Sequence, residues 1–433
     1  MSTNAGAEVS AYDRLRLDDA QLCELLATGR ARRELQAVFG RSEYQLLAGL
    51  AGRARRAAPR HGAPVYLLPG IMGTQLGLAR GTTLPPDLLW IDPQDIIAGR
   101  LTQLRLPGPI ELVTLGAIPF TYLALQLRLR VAGFTVIMHP YDWRRSLTDL
   151  AADLAAHLRA ADAAQVMIVA HSMGGLIARA AMALPGMHRV QRLIALGVPH
   201  GGSFGAVQAL RGTYPVVRRL AALDREHDAE ALTAQVFSGF PSLYQLLPPQ
   251  QQPDLHDAAA WPQSGPRPDA TLLQRARGFI TSLPPTDSRY CAISGCGQRT
   301  ITDLAVAADD FHYGISDAGD GTVPLKSARL EGCANYQVRC EHSALPRSAT
   351  VARALGELLS SGQTRSLAAA PIAADPAAMA PRRSVVSDQQ LHTTWTDKVN
   401  WLQFTPAARR EYLNRLNQSP PHYAAPRRNA VRP

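Results

Sequence analysis

The 433-residue chain is 46% apolar and 18% charged, enough to bury one large core with insertions or two smaller domains. No stretch holds the roughly 20 uninterrupted apolar residues of a membrane span: the most apolar windows, 166–187 and 115–127, are broken by His, Ser, Pro, Gly or Arg. The net charge of +10 gathers at the ends, +3 over 1–62 and +6 over 362–433, and is almost all arginine. Without a recognition motif or an aromatic-basic platform, that charge gives no expectation of nucleic acid as a partner.

In chain order, the opening MSTNAGAEVSAYDRLRLDDA lacks the apolar run of a secretory leader, so a cytoplasmic protein, at most peripheral at a membrane, is expected. Residues 1–62 read as a helical extension: Leu15, Leu22, Leu25, Leu26, Leu35, Val38, Tyr44, Leu47 and Leu50 fall at helical spacing, with Gly40 as a stop between two short helices. The period then changes. PVYLL at 64–68 is a short continuous apolar run ending in Pro-Gly, the pattern of a strand buried on both faces. Similar runs follow at 134–138, 166–169, 192–196, 290–294 and 336–339, with helix-period segments at 120–131, 147–161, 174–184 and 348–359. Such alternation predicts an α/β fold over 63–361, a mostly parallel central sheet with helices on both faces.

Two intervals break the alternation. Residues 203–288 are too long for a simple connection and are expected to form a cap or lid, and 79–109 reads as an irregular insertion. Beyond the last helix, 362–391 is rich in Ala, Pro and Ser and reads as a linker, 393–416 holds a short helix, and PPHYAAPRRNAVRP reads as disordered, giving a basic tail over 362–433. The five cysteines (Cys23, Cys291, Cys296, Cys333 and Cys340) have spacings of neither a disulfide frame nor a zinc site and are expected as free thiols; only export would favour a Cys333–Cys340 pair.

The chemistry centres on Ala170-His171-Ser172-Met173-Gly174, which follows VMIV and precedes a helix. It fits the nucleophile elbow G-x-S-x-G with Ala for the first Gly, a turn too tight for large flanking side chains. A buried serine capping a helix is the alternative reading. Acyl transfer also needs an acid and a base, and this type of site places them after the serine, in that order. Asp320, in the GDGTVP turn, is favoured over Asp317, Asp309 and Asp310; His342, in RCEHSALP after a strand, is favoured over His312, His200, His171 and His139. The tetrahedral oxyanion needs two amides: Met173 follows the nucleophile, and Ile71 follows the Pro69-Gly70 turn that ends the first strand. DAGDG lacks the remaining oxygens of a calcium loop, so neither a metal nor a cofactor is expected.

Taken together, PGIMGTQL, HPYDWRRS (139–146), AHSMGG, LGVPHGGS (196–203), FSGFPSLYQLLP (237–248), GDGTVP and EHSALP resemble, in order over 64–360, the lecithin:cholesterol acyltransferase and lysosomal phospholipase A2 family with its bacterial lipase-like members. The resemblance implies an α/β-hydrolase fold, the triad Ser172, Asp320 and His342, oxyanion amides at Ile71 and Met173, and attack on a phospholipid ester with transfer of the acyl chain to water or an alcohol. It implies that Asp142, Trp143 and Arg144 brace the site floor, that 203–288 is the lid, and that 79–109 touches membrane through Leu88, Leu89 and Trp90. The membrane-subdomain disulfide of secreted animal members has no counterpart here, since Cys23 is the only cysteine before Cys291. The expected function is therefore a serine-dependent acyl hydrolase or acyltransferase on a lipid or membrane-surface substrate, with no protein partner named. Two alternatives stand: an O-acyltransferase using a lipid alcohol, and a binding protein that keeps the fold without catalysis.

Overall fold

The structure is a computed structural model that describes residues 19–79, 86–370, 384–393 and 398–416. Leu15, part of the 79–109 insertion, much of the expected linker and the final PPHYAAPRRNAVRP lie outside the described residues.

Thirteen strands are present among the described residues: β1 Val65–Leu68, β2 Thr74–Leu78, β3 Asp87–Trp90, β4 Val113–Ala117, β5 Val136–Met138, β6 Val166–His171, β7 Val190–Leu196, β8 Tyr290–Cys296, β9 Thr300–Ala307, β10 Asp310–Ser316, β11 Ala334–Arg339, β12 Ala368–Ala369 and β13 Ser384–Ser387. Seven form the central sheet in the order β12-β11-β8-β7-β6-β1-β5, parallel throughout except for the short antiparallel β12 at one edge. All six apolar runs of the sequence supply strands of this sheet.

Alternation along the strands divides the core in two. Tyr66, Leu68, Ile168, Ala170 and Ala195 face one side, packed with the helices Leu147–Ala160 and Met173–Met182. Val65, Leu67, Met167, Val169 and Ile194 face the other, with the helices Pro119–Val131 and Ala349–Ser361. Both faces are covered, which is why β1 and β6 read as unbroken apolar runs. The N-terminal extension forms three helices, Asp19–Thr28, Arg32–Phe39 and Arg41–Arg56, with Gly40 between the last two. Their apolar stripes close on Leu123, Ala124 and Leu127 on the outer side of Pro119–Val131.

The strand order fixes the place of the site. From the carboxyl end of β1 the chain leaves toward β5, and from that of β6 it leaves toward β7. In sheets of this kind ligands bind where the strand order reverses, here the carboxyl edge of β1 and β6. The helices of 203–288, the expected cap, bury Phe237, Phe240, Tyr244 and Trp261 with the main core.

Two expectations are corrected. Leu88, Leu89 and Trp90 are not interfacial: all three are buried in the small β3-β2-β4 sheet, and the Trp90 indole donates to the Met72 carbonyl at 2.9 Å while meeting Trp143 edge-on. Nor is all of 362–391 a linker. β13 pairs antiparallel with β10, and the adjoining Asp388 is buried, taking hydrogen bonds from Arg211, Thr213 and Tyr313.

Candidate active site

Ser172 sits between β6 and the helix Met173–Met182 with φ 53° and ψ −128°. This left-handed backbone is strained for a residue with a side chain, and strain of this kind turns the nucleophile of an elbow out of the sheet. It is held from both sides, the Ser172 amide donating to Leu196 at 2.9 Å and its carbonyl accepting from Gly175 at 2.9 Å. Gly174 and Gly175 let the helix lie directly on Pro69 and Val198, where a Cβ would collide.

His342 Nε2 is 2.9 Å from Ser172 Oγ, and His342 Nδ1 is 2.7 Å from Asp320 Oδ2. The other Asp320 oxygen accepts the amides of Thr322 at 3.0 Å and Val323 at 2.7 Å, so the GDGTVP turn holds the carboxylate as well as carrying it. With a carboxylate on one side, the ring keeps its proton on Nδ1 and turns the lone pair of Nε2 toward the hydroxyl. The His342 amide also donates to the Asp320 carbonyl at 2.9 Å, which fixes the two loops to each other. Ser172 and His342 are 7% and 8% exposed, so the cluster lies under cover.

Of the sequence's competitors only His171 touches this cluster, its ring 4.8 Å from that of His342; the others lie apart. Asp317 lies 4.0 Å from Arg299, Asp309 caps the Gln263 amide and Asp310 that of Gln389. His139 packs on His157, His200 meets Arg179, and His312 lies in β10.

The two oxyanion candidates flank the serine. Met173 opens the helix directly after it, and Ile71 is the second residue of a turn closed by Gly73 N to Gly70 O at 3.0 Å. Among the described residues neither amide has a hydrogen-bond acceptor. The turn lies against the serine so closely that a Cβ on Gly70 would be 2.8 Å from Ser172 Cβ, which leaves glycine as the residue that fits.

A relay that sequence reasoning missed ties this turn to His342. The Gly70 amide donates to Tyr122 Oη at 2.8 Å, Tyr122 Oη lies 2.9 Å from His171 Nδ1, and His171 Nε2 lies 3.2 Å from the His342 carbonyl. The carbonyl only accepts, so Nε2 of His171 carries the proton and Nδ1 accepts from the tyrosine. Burial, then the neighbouring His342, hold the His171 pKa well below its ordinary value, and the ring is neutral. Its place directly before Ser172 was the available signal; Tyr122, 49 residues away, gave none. Asp142, Trp143 and Arg144, expected at the site floor, tie their turn to Leu104 and Thr74. Arg144 grips Asp142 with two nitrogens and donates to the Leu104 carbonyl, and Trp143 donates to Thr74.

Residues 130–266 match the family model of lecithin:cholesterol acyltransferase. That segment holds β5, β6, the elbow, β7 and much of the cap, and ends before Asp320 and His342. No curated protein is similar enough in sequence to match the chain. Solved structures similar to it include the mature lipase BlEst2 of Bacillus licheniformis, 15% identical over 71% of this chain and 95% of that one at a TM-score of 0.38. A chain of the Tle4–Tli4 complex is 15% identical over 68% and 97% at 0.44, and the phospholipase PlaB from Legionella pneumophila is 13% identical over 68% and 57% at 0.32. The chain has the α/β-hydrolase architecture, and its own sheet order and elbow carry that assignment. Among the described residues no helix is long and apolar enough to cross a membrane.

Proposed function

We propose that this chain is a serine acyl hydrolase acting on phospholipid esters at a lipid surface. The lecithin:cholesterol acyltransferase segment supports a lipid ester hydrolase or acyltransferase, and the observation that carries the finer reading is the Ser172–His342–Asp320 hydrogen-bond chain at the carboxyl edge of β1 and β6. In this reading His342 Nε2 takes the Ser172 proton as Oγ bonds to the ester carbonyl carbon. The amides of Ile71 and Met173 receive the oxyanion, and Asp320 balances the imidazolium. The intermediate collapses by breaking the bond to the lipid alkoxide, which leaves with the proton held by His342. Water, deprotonated by the same nitrogen, then adds to the acyl enzyme and releases a fatty acid and the free serine. Burial keeps His171 neutral beside the imidazolium, where a second positive charge would oppose its formation, and Tyr122 orients the ring.

Mass spectrometry of mixed phospholipid liposomes containing a long-chain alcohol, incubated with the wild type and with Ser172→Ala, tests this. Fatty acid and lysophospholipid made by the wild type alone is the expected result; new alcohol ester would make it an acyltransferase, and equal products from both proteins would remove Ser172 from the chemistry.

A further inference from the structure

Outside the triad, a cavity of about 750 Å³ opens between the helix Met173–Met182, the cap and the loop after Asp320. That volume is in the range of small-molecule sites. Its walls include Ile280, Leu283 and Leu330, and on them stand Arg179 and His200, 8% and 7% exposed. Ser172, Asp320 and His342 are not among the lining residues.

Arg179 is a buried cation without an anion among the described residues. One terminal nitrogen donates to the Pro284 carbonyl at 2.9 Å, the other is 3.2 Å from His200 Nδ1, and Nε has no partner. The charges that reach it are those of Tyr290 and Cys333, and both groups hold their protons at neutral pH because burial raises their pKa, that of Cys333 to about 11. A guanidinium only donates, so His200 Nδ1 must accept and His200 carries its proton on Nε2, which also has no partner. Burial and the nearby Arg179 charge keep that ring neutral. The pair therefore leaves one full positive charge and two N–H donors unanswered in an enclosed place, a costly arrangement for a folded protein. Exposed Lys326 adds positive charge on the same cavity, and Glu331, also exposed, is its one carboxylate.

We propose that this cavity binds an anionic amphiphile, a long-chain carboxylate whose head neutralises Arg179 and whose chain lies along the apolar wall. An inorganic anion would satisfy the charge and leave the apolar wall in water; a neutral lipid would do the reverse. The cavity wall is continuous with the machinery of the candidate active site: Ser327 donates to the Gly202 carbonyl, Ser203 to that of Thr322 at 3.3 Å, and the Thr322 amide donates to Asp320. The inference stands on Arg179 and His200 and does not require Ser172 to be a nucleophile.

Calorimetric titration of the full chain with decanoate, 1-decanol and inorganic phosphate tests it. Decanoate is expected to bind saturably, with 1-decanol and phosphate each about tenfold weaker or more, as the loss of a hydrogen-bonded charge implies. Arg179→Met should weaken decanoate by about the same factor and leave 1-decanol unchanged. Decanoate should still bind after Ser172 is blocked with a fluorophosphonate. Equal binding of decanoate by the wild type and Arg179→Met would overturn the proposal, as would loss of binding on blocking Ser172. Phosphate or 1-decanol binding the wild type as tightly as decanoate does would also overturn it, whether or not the variant folds.

Discussion

Two buried histidines beside the same run of loops are held in opposite ways. His342 gives its Nδ1 proton to a carboxylate and turns Nε2 on a hydroxyl, whereas His200 takes a hydrogen bond at Nδ1 from a guanidinium and leaves its Nε2 proton with no acceptor. The difference lies in the sign of the neighbour. Next to Asp320 the ring donates to a negative charge; next to Arg179 burial and the guanidinium hold it neutral and it serves as a donor. Around Asp320 the hydrogen bonds are filled, by two amides and the ring. Around Arg179 the missing component is an anion.

The largest effect that would break this comparison is loss of the carboxylate. Asp320→Asn keeps the shape but no longer fixes the Nδ1 proton, and kcat on a soluble ester is expected to fall roughly a thousandfold to ten-thousandfold. A fall of less than tenfold would mean that the ring does not depend on its acid. A smaller effect concerns the neutral rings. Burial holds the pKa values of His139, His171 and His200 below the ordinary histidine value, His139 to about 4. Between that value and 6.5 the unfolded chain binds protons that the folded chain does not, so stability is fully present above pH 6.5 and is lost as the pH falls. His139 alone contributes about 3 kcal/mol over that window. Urea denaturation at pH 7.5 and pH 4.5 should show a stability loss of at least this size, if the carboxylates contribute little in the same window. Unchanged stability would mean that these rings take up protons in the folded state, which would also weaken the assignment of His200 as a neutral donor.

Much of the candidate site was legible because its parts are local. An elbow needs small residues around one serine, the acid sits in a Gly-Asp-Gly turn, and buried strands leave continuous apolar runs. What was missed depends on pairs far apart in the chain. Asp388 looked like part of a linker because the stretch around it is rich in Ala, Pro and Ser, yet Arg211, 177 residues earlier, gives it a buried partner. Leu88, Leu89 and Trp90 show the reverse failure. A bulky apolar cluster reads the same whether it meets a membrane or Trp143, and the core took it, with the Trp90 indole left to hold the Met72 carbonyl in the turn beside Ser172. The unpaired state of Arg179 was likewise invisible, since a sequence shows which charges exist and not which ones meet.

The most direct test of the central claim is intact-protein mass spectrometry after treatment with a fluorophosphonate. The wild type should gain a single adduct that peptide mapping places on Ser172, Ser172→Ala should gain none, and Asp320→Asn should label far more slowly. A folded wild type that stays unmodified, or an adduct on another residue that persists in Ser172→Ala, would contradict the assignment of Ser172 as an activated nucleophile.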